Sequence, residues 1–263
     1  MCGRYVIARA AGDLVDELDV WEPEEEILLR PNYNVAPTTD VPIVLERLVE
    51  AGTPGAVQTP GGLVRRELHV ARWGLLPIWA KDASFSSRAF NARSETVLEK
   101  PSFRSAVKSK RCVVPVDGYY EWRTPASGKG GKTPFFVHRE DGKPIVFAGL
   151  YEWWKDPAVA DGEEGQWVLA CTILTSASPS PEDDGVAGAL GALHDRLPIP
   201  LADEDAIAAW LDPSNKDAAS LVEVIRARAV EAMRGWTLRE VGSAVGNVRN
   251  NGPELIEPVG SLF

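Results

Sequence analysis

The sequence predicts an α+β protein, a single domain across residues 1–263, built on a curved, barrel-like, mostly antiparallel sheet with flanking helices. Three observations predict it. Short apolar runs of strand composition recur along the chain, while few segments carry a helical stripe. No Pro/Gly-rich linker or change of composition divides the 263 residues. A composition of 44% apolar and 25% charged residues excludes a disordered or fibrous chain. The length is ample for a real core.

Taken in order, residues 12–29 begin with apolar positions at helical spacing (Leu14, Val15, Leu18, Val20) and end in an acidic turn bearing a proline. Val41 to Val49 and Leu63 to Trp73 read as strands separated by the Gly/Pro turn Gly52–Gly62. Ser94 to Val107 reads as a short helix broken at Pro101. The run from Arg111 to Val116 is a buried strand, closed by Gly118-Tyr119-Tyr120-Glu121-Trp122-Arg123. Pro134–Val137, Ile145–Tyr151 and Trp167–Thr175 are further strands. Thr124–Lys132 and Lys155–Gln166 are loops, and Gly185–Gly191 is read as another. Asp203–Trp210 and Ala218–Met233 fit helices, the second with Leu221, Val222, Ile225 and Val230 as its stripe. No internal repeat is visible.

A formal net charge of −10 argues against a polyanionic partner, but the charge is uneven. From Lys81 to Arg111, eight basic residues face three acidic ones, leaving the rest of the chain at −15. Acids gather in Asp13–Glu26 and Asp156–Glu164, which read as solvated surface. No run approaches the roughly 18 apolar residues of a membrane span. The opening residues have no apolar core of a secretory signal. Three widely spaced cysteines argue against a disulfide framework, so a reducing cytoplasm is expected. No CxxC, HxH or HExxH pattern supports a metal, and no glycine-rich or GxSxG pattern supports a nucleotide cofactor or a hydrolase elbow. No cofactor is expected.

Cys2 directly follows the initiator methionine. Removal of Met1 would place an amine and a thiol on adjacent carbons. An α-amine titrates near 7.7–8.0 against about 10.4 for lysine, so about a hundredfold more of it is unprotonated at neutral pH. Such an amine attacks an aldehyde to form an imine, and the neighbouring thiol can close a five-membered ring. The same residue could instead attack an amide as a thiolate, with its own amine as base. Arg4 beside it suits an anionic ligand.

Four further groups are candidates. Asn91 and Arg93 at i, i+2 in extended chain point to one face and offer an amide and a guanidinium to one ligand; alternatively, Ser94 or Thr96 simply starts a helix. Glu121 between Tyr120 and Trp122 reads as a carboxylate in apolar company, suited to proton transfer, or as an edge-strand acid paired with Arg123. His194 in Leu193-His194-Asp195-Arg196-Leu197-Pro198 is a candidate acid–base group, and Arg196 a candidate phosphate ligand. In Trp73-Gly74-Leu75-Leu76-Pro77-Ile78-Trp79, Trp73 fits the core, whereas Trp79 beside Lys81 could stack on bases. His69 and His138 read as bystanders.

Together these segments resemble the SOS response-associated peptidase (SRAP) family. The likeness rests on Met1-Cys2-Gly3-Arg4-Tyr5, Tyr33-Asn34-Val35-Ala36-Pro37, Arg72-Trp73-Gly74-Leu75-Leu76-Pro77 and Asn91-Ala92-Arg93-Ser94-Glu95-Thr96. It continues through Gly118-Tyr119-Tyr120-Glu121-Trp122, His194-Asp195-Arg196-Leu197-Pro198 and Val245-Gly246-Asn247-Val248-Arg249-Asn250, in family order from residue 2 to about Val259. The resemblance implies a DNA-repair protein acting as a monomer on single-stranded DNA that contains abasic sites, in the cytoplasm and on the nucleoid. It implies covalent capture, with the Cys2 amine and thiol closing a thiazolidine on the abasic sugar. Asn91 would orient the reactants, and Glu121 and His194 would move protons. Arg4, Arg93 and Arg196 would hold phosphates, and Trp79 and Trp122 would line the DNA groove. The family name also implies a thiol peptidase, with its own Met1 as a candidate substrate. A non-covalent single-strand binder is a further alternative. The acidic insert Asp156–Glu164 and the Gly185–Gly191 loop stand apart from the family pattern.

Overall fold

The computed structural model describes residues 3–22, 27–125, 127–128 and 130–260. Cys2, the centre of the proposed chemistry, lies outside them. Two sheets carry the fold. The first has five strands, all antiparallel: β1 (Tyr5–Ile7), β2 (Asn32–Val35), β8 (Gly118–Arg123), β9 (Thr133–Arg139) and β13 (Trp236–Glu240). Their order is β13-β9-β8-β1-β2. The second contains β3 (Asp40–Leu48), β4 (Val57–Thr59), β5 (Gly62–Trp73), β7 (Arg111–Val116), β10 (Ile145–Lys155), β11 (Trp167–Ala177) and β12 (Arg196–Pro198). It runs β12-β11-β10-β7-β3-β5-β4, with the three-residue β6 (Asn91–Arg93) parallel to β11.

A parallel contact between β11 and β5, Cys171 opposite Trp73, closes the second sheet on itself. The expected curved, barrel-like, mostly antiparallel sheet is therefore present as a ring. What local patterns did not foresee is a second sheet packed against it. The apolar run of β7 is buried at all six positions, as expected of a strand covered on both faces.

Among the described residues, five α-helices flank the sheets: α1 (Ala11–Glu17), α2 (Ala106–Ser109), α3 (Gly185–Leu193), α4 (Glu204–Leu211) and α5 (Ala218–Ala232). Asp203 and Asp217 cap α4 and α5 by accepting the Ala206 and Ser220 amides. Three expectations need correction. The helix begun at residue 12 stops at Glu17. Residues 94–107 form successive turns, and only Ala106–Ser109 is helical. The supposed loop Gly185–Gly191 is part of α3, whose Leu190 and Leu193 pack into the core.

The basic segment also changes character. Arg111 is 2% exposed. Its guanidinium donates to the carbonyls of Trp210 (2.6 Å), Val107 (3.1 Å), Asn215 (3.0 Å) and Asp212, so it closes the C-terminal end of α4 rather than facing solvent. Lys110 pairs with Glu152. Lys81, Arg88, Arg93, Lys100, Arg104 and Lys108 remain exposed. Among the described residues, no helix is long and apolar enough to cross a membrane.

Candidate active site

The site is assembled around the start of β1. Tyr5 stands opposite Tyr119 and Val6 opposite Gly118 in the antiparallel ladder with β8. The Tyr120 amide donates to the Arg4 carbonyl at 2.9 Å. This bond carries the pairing one residue beyond Tyr5, towards the Glu121 end of β8. Gly118 lets β8 pack closely on β9: a Cβ there would lie 2.4 Å from the Phe136 ring and 2.5 Å from the Val137 carbonyl.

Glu121 is 6% exposed, and its Oε1 accepts the Trp122 amide at 3.2 Å. Its apolar company differs from that expected. In a pleated strand, alternate side chains leave opposite faces. Tyr120 and Trp122 therefore point away from Glu121 and pack with Val6, Phe136 and Val245 in a separate cluster. Trp122 is half-buried against Tyr120 (ring centroids 6.4 Å apart). Glu121 shares its face with Tyr119, which meets Phe147 and Trp236 edge-on.

Arg4 is held rather than splayed. Its Nη1 donates to Asn34 Oδ1 and to the Val245 carbonyl, both at 2.9 Å, and burial draws its pKa below the usual arginine value. Asn34 in turn donates to the carbonyls of Val245, Asn247 and Asn250. Two motifs without an assigned role, Tyr33–Pro37 and Val245–Asn250, are thus tied to the N-terminal strand through one buried amide.

Asn91 and Arg93 lie on β6 opposite Ile173 and Thr175 of β11. Ala92 is buried between them, Asn91 is half-buried, and Arg93 is exposed. In an extended strand, residues two apart leave the same face. An aromatic chain connects this strand to β1. The Tyr5 ring sits 4.8 Å from Trp73, Trp73 meets Phe90 edge-on at 5.7 Å, and Trp73 Nε1 donates to the Phe90 carbonyl at 2.9 Å. Gly74, at φ +140°, permits this crossing, since a Cβ there would meet the Ser86 carbonyl at 2.3 Å.

His194 follows α3, which packs against β8, the strand that carries Glu121. Its Nδ1 lies 3.0 Å from the Arg196 amide and 2.7 Å from the carboxylate of Asp195. The two neighbours suit different states. The amide can only donate, so it fits a neutral ring with its proton on Nε2; Asp195 fits a protonated Nδ1. Either way Nε2 is the nitrogen left for a substrate. A groove lined by His194, Asp195, Thr124, Lys132, Ser178 and Ser180 opens beside it.

Arg196 differs most from its expected role. Its side chain is 12% exposed. Nη1 and Nη2 grip Glu95 at 2.8 and 2.9 Å, and Nη2 also donates to the Thr175 carbonyl at 2.8 Å. The guanidinium is thus engaged within the protein, whereas Arg93 makes no hydrogen bond or ion pair among the described residues. Glu95, unnoticed in the sequence, is held at about 2 by the Arg196 hydrogen bonds.

Trp79 is 52% exposed and stands edge-on to Phe85 at 5.1 Å, with the exposed Arg88 guanidinium 5.4 Å from the same ring. Cys112 and Cys171 are fully buried, and burial pushes both thiols well up. Neither is a nucleophile, which leaves Cys2 as the remaining thiol. Among the described residues no cluster of three or more His, Cys, Asp or Glu could hold a metal ion.

Comparison with known proteins gives a consistent picture. A family model described as SOS response associated peptidase (SRAP) matches residues 1–248. The abasic site processing protein YoqW of Bacillus subtilis (strain 168) is 34% identical over 261 residues, covering 98% of this chain and 99% of that one. The abasic site processing protein HMCES of Gallus gallus is 30% identical, over 88% of this chain and 67% of its own. A crystal structure of a protein from Bacteroides thetaiotaomicron shares the fold, with a TM-score of 0.70 at 20% identity over 98% of this chain and 99% of that one.

Proposed function

Since the chain belongs to the SRAP family, we propose that it is an abasic-site processing protein, which captures the ring-opened sugar in single-stranded DNA through Cys2 after loss of Met1. The observation that most supports this reading is the β1–β8 register. It runs the chain that follows Cys2 along β8 in the direction of the buried Glu121.

The chemistry needs no redox partner. The Cys2 nitrogen attacks the sugar aldehyde to give a carbinolamine. Loss of that hydroxyl as water gives an imine. The sulfur then adds to the same carbon, and the thiol proton ends on nitrogen. One water leaves in all, and the closed thiazolidine holds both new bonds to one carbon. Glu121, shielded from solvent, accepts the proton released by the amine and returns it to the departing hydroxyl. His194 protonates the sugar oxygen through Nε2 as the ring opens. Asn91 orients the aldehyde. Phosphates lie against Arg93 and the exposed lysines and arginines of residues 81–108, while Trp79 stacks on a base.

Arg4 and Arg196 face phosphates as well, while their hydrogen bonds within the protein hold the strand that follows Cys2 and the Glu95 carboxylate.

The test uses protein whose N-terminus is shown by mass spectrometry to begin at Cys2. Incubated with single-stranded DNA bearing one abasic site, it gives a band that survives denaturation. Cys2→Ala gives none. No band with wild type, or an equal band with Cys2→Ala, overturns the proposal. Peptide cleavage without DNA would favour a thiol peptidase instead.

A further inference from the structure

Glu95 stands where three strands of the candidate site meet. Its Oε1 accepts from Arg196 Nη1 at 2.8 Å and from the Ala177 amide of β11 at 3.3 Å; its Oε2 accepts from Arg196 Nη2 at 2.9 Å. Arg196 reaches past it to the carbonyl and hydroxyl of Thr175, at 2.8 and 3.1 Å. Thr175 is the register partner of Arg93 on β6 and of Pro198 on β12. The backbone of Arg196 also supplies the amide that faces His194 Nδ1. One carboxylate therefore fixes, by a two-pronged grip on a single guanidinium, the strand of Asn91 and Arg93 and the residue that orients His194. A fork of this kind has a defined geometry that a single charge contact lacks.

We propose that Glu95 is a positioning residue, acting through Arg196 to hold His194 with Nε2 presented to the substrate and Asn91 in line with it. The kinetic part of this proposal rests on the capture reading above; the placement of His194 does not.

The test compares wild type, Glu95→Gln, Arg196→Lys and the double variant, all beginning at Cys2. At saturating abasic single-stranded DNA, Glu95→Gln slows crosslink formation on the order of tenfold or more, the cost of misplacing a reacting group. The half-saturating DNA concentration rises by less than the rate falls, since Arg93 is one of several cations placed against the phosphates. The double variant is no slower than the slower single variant, as expected for residues that act as a unit. Independently of DNA, the long-range ¹H–¹⁵N spectrum of the histidine rings shows His194 as one tautomer in wild type and as a mixture in Glu95→Gln. Glu95→Asp, which retains the charge but shortens the reach, gives intermediate rates and serves if the glutamine variant does not fold. An unchanged tautomer in Glu95→Gln overturns the proposal. So does an unchanged rate, a loss confined to DNA affinity, or additive losses in the double variant. If wild type forms no crosslink at all, the capture reading falls and the tautomer measurement alone decides the role of Glu95.

Discussion

Arg4 Nη1 donates to Asn34 Oδ1 at 2.9 Å, joining the segment that follows Cys2 to an amide that is itself only 4% exposed. The Asn34 side chain then satisfies three carbonyls of residues 245–250. Removing it leaves several buried polar groups without partners. Asn34→Ala should destabilise the protein by about 2–4 kcal/mol, read as a shift in the urea midpoint. Because Arg4 loses its anchor, crosslinking should slow even at temperatures where the variant is fully folded. A variant as stable and as fast as wild type would refute this account of the N-terminal strand.

The buried thiols make a second prediction. Cys112 and Cys171 are 0% exposed and their pKa values are raised by burial. Reactivity follows thiolate content and access. Iodoacetamide at pH 8 should therefore leave both unmodified in the native protein and alkylate them only after denaturation. Peptide mass mapping reads this directly. Rapid native alkylation of either would mean that the ring opens far more readily than its packing implies.

How much of this was legible beforehand depended on element length and on the range of contacts. The strands within Val41–Val49, Leu63–Trp73 and Trp167–Thr175 were read from local apolar patterns, because each is long enough to show its character. β1, β6 and β12 have three residues each and show no period at all. α3 carries no local helix signal because three of its nine residues are glycine, a poor helix former on its own; packing of Leu190 and Leu193 holds it. Glu121 stands out in the sequence, but its surroundings do not, because its sequence neighbours Tyr120 and Trp122 lie on the other face of the pleat. The roles of Asn34 and Glu95 have no local signature, since the carbonyl that Asn34 meets at Val245 lies 211 residues away and Arg196 lies 101 residues from Glu95. Ring closure between Trp73 and Cys171 is likewise non-local.

Trp79 offers a separation of binding from folding. Half of its surface faces solvent, and its ring stands edge-on to Phe85. Stacking on a base contributes about 1–3 kcal/mol, so Trp79→Ala should weaken non-covalent binding of single-stranded DNA by roughly five- to a hundredfold. The melting temperature should hardly move, because exposed substitutions fall within about 0.5 kcal/mol. Fluorescence anisotropy of a labelled oligonucleotide, together with a thermal melt, measures both. Intact affinity, or a large loss of stability, would remove Trp79 from the DNA-binding surface.

Glu95 ties stability to pH, and the sign follows from its depressed pKa. In the folded protein its carboxyl is held at about 2 against an ordinary 4.5, chiefly by the Arg196 hydrogen bonds. The unfolded chain therefore takes up a proton at higher pH than the folded one does. Stability from this group is fully present above about pH 4.5 and drains away as pH falls towards 2. Glu95→Gln should consequently melt below wild type at pH 7, and the gap should narrow as the pH is lowered from 5 to 3. Because about a third of the carboxyl side chain is exposed, solvent screening keeps the effect modest. Paired thermal melts across that range test it. A gap that stays constant or widens on acidification would show that the Glu95–Arg196 grip does not depend on the carboxylate charge.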